Sequence, residues 1–211
     1  MPVCPICNKR AAKRSCPALR TKICAVCCAR ERMIELACPD SCTYLSDART
    51  QMAAREAEWR EREREAGIIR PELGQQWLAY LLMTQHAIVN AHRGIEGTKV
   101  ADLTNTEILE ALDNAIKNLQ TGTSGLIYEH RAASPRVEEV SRRIRAALDK
   151  LTERMPAEHR PRPNDLINVL NFERAAVEGH TRRGEDARSH LRHISLYLPW
   201  PEEKTKPLII S

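Results

Sequence analysis

The stretch CAVCCARERMIELACPDSC, residues 24–42, holds five of the chain's eight cysteines. Cys27 and Cys28 are adjacent, Cys24 precedes Cys27 by a two-residue gap, and Cys38 precedes Cys42 by a three-residue gap. Neighbouring side chains alternate faces on a strand and diverge by about 100° around a helix. Two such thiols serve two sites more readily than one.

Upstream lie Cys4, Cys7 and Cys16, so all eight cysteines fall in the first 42 of 211 residues. The opening MPVCPICNKR carries no apolar run of signal-peptide length, and no later segment is apolar for long enough to cross a membrane. A cytoplasmic protein without a membrane partner is expected. Structural disulfides are disfavoured there, so clustered thiols point first to metal and second to redox chemistry.

The spacings are Cys4-x2-Cys7, Cys16, Cys24-x2-Cys27-Cys28 and Cys38-x3-Cys42. A two- or three-residue gap lets both sulfurs lie about 2.3 Å from one tetrahedral Zn2+. Eight thiols supply two four-sulfur sites. Two x2 pairs give Cys4, Cys7, Cys24 and Cys27 as the first site. The remainder, Cys16, Cys28, Cys38 and Cys42, gives the second. The sites interleave along the chain and imply two Zn2+ as cofactors. A segment this short buries little apolar area, so metal must supply folding free energy.

The same residues carry a resemblance. Cys4-x2-Cys7, Cys16-Pro17, Cys24-x3-Cys28 and Cys38-x3-Cys42 resemble the interleaved treble-clef zinc fingers of the HIT and MYND type. Leu19 replaces the second cysteine of the usual CPxC pair, and Cys38 stands where a late histidine is common; Cys27 would supply the missing ligand. The segment ICAVCCARERMIELACPDSCTYLSDAR also resembles the N-terminal module of uncharacterised bacterial proteins, as does GLIYEH at 125–130. The finger resemblance implies binding to a protein partner.

The 33 basic and 28 acidic residues give a formal charge of +5. Eight thiolates holding two Zn2+ change that by −4, leaving about +1. Bulk charge is therefore a weak argument for nucleic acid. Lys9, Arg10, Lys13, Arg14, Arg20, Lys22, Arg30 and Arg32 lie among the cysteines. They read either as a phosphate-binding surface or as compensation for thiolate charge. No aromatic residues are interleaved to stack bases, which favours compensation.

Beyond the module, 1–45, the pattern is helical. Residues 45–66 read as an exposed, charged connecting helix within 46–70, capped by Ser46 or Asp47 and ended by Gly67 and Pro71. Leu45, Ala48, Met52 and Trp59 form its narrow apolar stripe, which would suit pairing in a homodimer, and Glu56–Arg60 and Glu58–Arg62 are i,i+4 pairs. Residues 71–198 read as an all-α bundle. A broadly apolar helix spans 72–92, with Leu78 and Leu82 beside the main face. Thr104 and Glu107 form a capping box before Ile108, Leu112, Ile116 and Leu119. Ser134-Pro135 opens a helix carrying Val137, Val140, Ile144 and Leu148. Further helices span about 164–181 and 185–197, and 199–211 is a proline-rich, extended tail. The fold class is a small zinc-stabilised module followed by an all-α bundle.

Three features of the bundle invite chemistry. Arg174-x5-His180 fits the loose Arg-x4–6-His pattern of HEPN ribonucleases, in which histidine transfers protons and arginine stabilises phosphate; a surface pair near a helix end is the plainer reading. His180, His190 and His193 could share a metal, although no carboxylate at suitable spacing is evident beyond nearby Glu173 and Asp186. Arg182, Arg183, Arg188 and Arg192 around them would suit a polyanion. GLIYEH, with Glu129 and His130, reads as a structural junction. Function therefore reads as a non-enzymatic adaptor, with nucleic-acid binding or an RNase using Arg174 and His180 as the alternative.

Overall fold

A computed structural model of the chain describes residues 2–68, 72–95, 97–123 and 129–200. Its described part is predominantly helical, with a four-cysteine cluster near the N-terminus. Residues 125–128 of GLIYEH and 201–211 of the expected tail lie outside the described residues.

The N-terminal segment first turns back on itself. The Cys4 amide donates to the Arg10 carbonyl at 2.8 Å, and the Asn8 amide donates to the Cys4 carbonyl at 2.8 Å. Asn8 takes a left-handed backbone, φ 51°, which asparagine tolerates better than most residues. A two-stranded antiparallel hairpin follows, β1 (Arg14–Cys16) and β2 (Thr21–Ile23), with Ser15 opposite Lys22. Strands of three residues are too short to show an alternating pattern. Then comes α1 (Ala25–Glu31), whose N-cap is Cys24. Ile23, Ala12 and Leu36 complete an apolar cluster made chiefly of cysteines.

The connecting helix α2 spans Thr43–Glu65. It starts two residues earlier than expected, because the Cys42 carbonyl already accepts from the Leu45 and Ser46 amides. Ser46 and Asp47 therefore lie inside the helix, and Cys42 is its N-cap. Leu45, Ala48 and Met52 of the expected apolar stripe are used within the chain, while Trp59 lies against the guanidiniums of Arg62 and Arg183. Leu45 is fully buried with Met33, Cys42 and Leu196, and Ala48, Met52 and Trp200 pack around them. Gly67, at φ 69°, lies just past the helix end.

The bundle consists of α3 (Leu78–Arg93), α4 (Asn105–Thr123), α5 (Pro135–Glu153), α6 (Pro163–Arg182) and the short α7 (Ser189–Ser195). A 3-10 turn, Gln75–Trp77, replaces the expected first turns of α3. Leu78 and Leu82 are 45% and 50% exposed, so they lie outside the broad face that this helix buries. They lie one turn apart on the side away from the core formed by Tyr80, Ile88 and Ala91 with the other helices. Gly94 ends α3 in the left-handed conformation, φ 74°, the geometry a helix C-terminus commonly needs.

The Thr104–Glu107 capping box is present. The Thr104 amide donates to Glu107 Oε2 at 2.9 Å, and the Glu107 amide donates to Thr104 Oγ1 at 3.3 Å. Ile108, Leu112 and Ile116 face the core as the periodicity predicts. His130 and Glu129 form a junction: the His130 amide donates to Asn118 of α4 at 2.8 Å, and Glu129 pairs with Arg145 of α5 at 2.9 Å. The last helix is shorter than expected, because residues 185–188 turn around Asp186, whose carboxylate accepts from the Arg188 amide at 2.9 Å.

Arg93 fastens the cysteine-rich module to the bundle. Its guanidinium donates to the Met33 carbonyl of the module and to the carbonyls of Leu198 and Pro199. It also lies 4.4 Å above the Trp200 ring. Burial lowers its pKa to about 10, so the charge persists at neutral pH. Beside it, Glu35 of the module meets Lys99 at 2.8 Å and His92 at 3.1 Å.

Candidate metal centre

Cys4, Cys7, Cys24 and Cys27 come together. Their four sulfurs lie within 4.8 Å of one another, and all eight cysteines are free thiols. The Cys7 and Cys24 sulfurs are 3.9 Å apart. Two sulfurs bound to one tetrahedral ion at about 2.3 Å lie about 3.8 Å apart. The donor set therefore fits a single tetrahedral ion, supplied by the Cys4–Cys7 turn and the start of α1.

The backbone prepares these sulfurs for negative charge. The amides of Lys9 and Arg10 point at Cys7 and lower its pKa to about 6, against the opposing effect of burial. Burial works against ionisation of Cys4, yet the amides of Cys24, Cys7 and Ile6 outweigh it and hold its pKa below the usual thiol value. The Cys27 amide donates to Cys24 Sγ at 3.3 Å. Cys27 itself is pushed up to about 12, first by burial and then by hydrogen bonds with Cys24, Cys7 and Cys4. An ion binding here would displace the protons still held by the quartet.

The second predicted set is differently placed. Cys16, Cys28 and Cys42 are buried and Cys38 is half-buried. These sulfurs are not drawn into a group as tight as the first. They are nevertheless neighbours: Cys38 is pushed up by burial and then by the charges of Cys42, Cys16 and Cys28. Arg32 donates to Cys28 Sγ at 3.5 Å. Cys27 belongs to the first quartet and Cys28 does not, so the adjacent thiols have separate surroundings.

In the bundle, Arg174 and His180 are not brought together. Arg174 pairs with Asp113 of α4 at 3.2 Å and with Glu178 at 3.9 Å. His180 is buried and meets Glu185 at 2.7 Å. Arg183 pairs with Glu56 and Glu185, Arg188 with Asp102, Arg192 with Asp186 and Arg182 with Glu178. The basic cluster is thus largely met by acidic neighbours.

The three histidines do converge. The His180 ring lies 5.3 Å from His190 and 5.2 Å from His193. Burial lowers the pKa of His180, and burial with the neighbouring His180 lowers His193 to about 4. The carboxylate missing from the sequence pattern is Glu56, on α2. No local spacing links it to α6 or α7; its sequence signals, a charged run and an i,i+4 place before Arg60, both read as a solvated helix face.

No family model, no curated protein and no solved structure matches this chain.

Proposed function

We propose that the chain is a zinc-stapled adaptor whose N-terminal module, locked to a helical bundle, binds a protein partner. The observation that carries this reading is the thiol quartet of Cys4, Cys7, Cys24 and Cys27, built from a turn and a helix start that flank a short hairpin. In this reading Cys16, Cys28, Cys38 and Cys42 hold a second Zn2+, and the protein works in the cytoplasm.

The module also presents the large apolar side chains Val3, Leu19 and Val26, which are 57%, 42% and 49% exposed. In this reading they form part of the contact with the partner. The paired arginines of α6 and α7 favour a protein partner over nucleic acid, because an occupied guanidinium contributes little to phosphate binding.

The test is co-purification of the zinc-loaded full chain from its native source, beside a Leu19→Glu/Val26→Glu variant. A protein that is retained by the natural chain and lost by the variant, at equal zinc content, is expected. Steeply salt-dependent RNA binding that both chains share, with no protein retained, would contradict the reading.

A further inference from the structure

A cavity of about 430 Å³ is bounded by α2, α6 and α7. Glu56, His180 and His193 each turn a ligand atom toward the others there, all within 4.8 Å. Each comes from a different helix. Asn105 sets the position of α7, because its carboxamide donates to Ser189 Oγ at 3.0 Å and accepts from the His190 amide at 3.2 Å.

Of the two imidazoles in the trio, His180 is held as a metal-binding imidazole is held, and so is its neighbour His190. His180 Nδ1 lies 2.7 Å from Glu185 Oε2, and His190 Nε2 lies 2.8 Å from Glu173 Oε1. A carboxylate on one ring nitrogen fixes the tautomer and leaves a lone pair on the other. Glu173 is itself fully buried, and its second oxygen accepts from Gln85 at 2.9 Å. Nδ1 of His190 and Nδ1 of His193 are buried with no hydrogen-bond partner. His190 is 1% exposed and lines the cavity. A buried ring nitrogen without a partner is costly.

The charge balance agrees. Glu56, Glu173 and Glu185 touch this group, and Arg183 bridges Glu56 at 2.9 Å and Glu185 at 3.3 Å. With neutral imidazoles, Glu56, Glu173, Glu178 and Glu185 outnumber Arg60, Arg182 and Arg183 by one charge around the cavity, a surplus that favours a cation. Nitrogen and oxygen donors without sulfur suit first-row transition ions such as Zn2+, Fe2+ and Mn2+. Three protein ligands leave coordination positions open toward the cavity.

We propose that Glu56, His180 and His193 bind one divalent transition-metal ion in the bundle, separate from the cysteine module and oriented by Glu185. The inference does not rest on the adaptor reading.

The probe is Co2+, titrated into the full chain after dialysis against a chelator too weak to take zinc from thiolates. One equivalent should bind with visible absorption that lacks thiolate-to-cobalt charge transfer. His193→Ala and Glu56→Gln should each weaken it at least tenfold without changing thiolate-bound zinc. Glu185→Gln, which removes no ligand, should weaken it about tenfold, and Cys27→Ser should leave it unchanged. Circular dichroism checks the helices, and Glu56→Gln, isosteric and on a separate helix, decides the matter if His193→Ala fails to fold. Absence of a Co2+ site outside the thiolates, or full affinity in Glu56→Gln, would overturn the proposal.

Discussion

Cys27 and Cys28 occupy one turn of α1 yet meet different neighbours. Cys27→Ser should weaken zinc binding at the first quartet, and Cys28→Ser at the second, each by at least tenfold. Competition with a chromophoric chelator measures this; a variant keeping both ions at full affinity would mark its cysteine as a spare thiol. His92 supplies a pH dependence. Its Nδ1 donates to the Val100 carbonyl at 3.2 Å while Arg188 lies 3.4 Å from Nε2. Burial, opposed by Glu35, lowers its pKa below the ordinary 6.5. The unfolded chain therefore takes up the proton first as pH falls. Stability from this residue is full above about pH 6.5 and declines below it, by at most about 1.4 kcal/mol per pH unit. Urea unfolding of His92→Gln across this range should show a shallower slope than the natural chain; an equal slope would contradict the account. At this scale the first quartet was legible, because metal-ligand spacing is local. Glu56 was not: its ion-pair partner Arg183 lies 127 residues away, and a glutamate in a charged run looks like any solvated one.

Among the elements, α4 was the most legible. Its cap and its apolar register use neighbours within a turn, which sequence displays directly. Glu107 also pairs with Arg136 of α5 at 2.6 Å, and this contact with the cap holds its pKa below the carboxylate norm. Glu107→Ala should cost about 1 kcal/mol through the cap, read as a lower melting temperature with unchanged zinc content; no shift would show the box to be idle. The start of α3 was misjudged, since apolar content alone cannot say which of two faces meets a neighbour, and Leu78 and Leu82 remain exposed. The β1–β2 hairpin left no alternating pattern to find. Both strands are three residues long, and their pairing is held in place by the cysteine cluster around Cys16 and Ile23.

Across the whole molecule, a cysteine-rich module and a helical bundle meet through Arg93, Glu35 and the C-terminal residues 196–200. Composition foretold both parts, because cysteine is confined to one and helical periodicity to the other. Their contact was not foretold, since Arg93 and Met33 are 60 residues apart and a single arginine carries no pattern. The module's few apolar side chains pack around its cysteines. The most direct measurement is titration of the eight thiols with an organomercurial while an indicator dye follows zinc release. Two zinc equivalents leaving in step with the thiols, accompanied by loss of module structure, is the predicted result. Reaction of all the thiols with no zinc released would contradict the account.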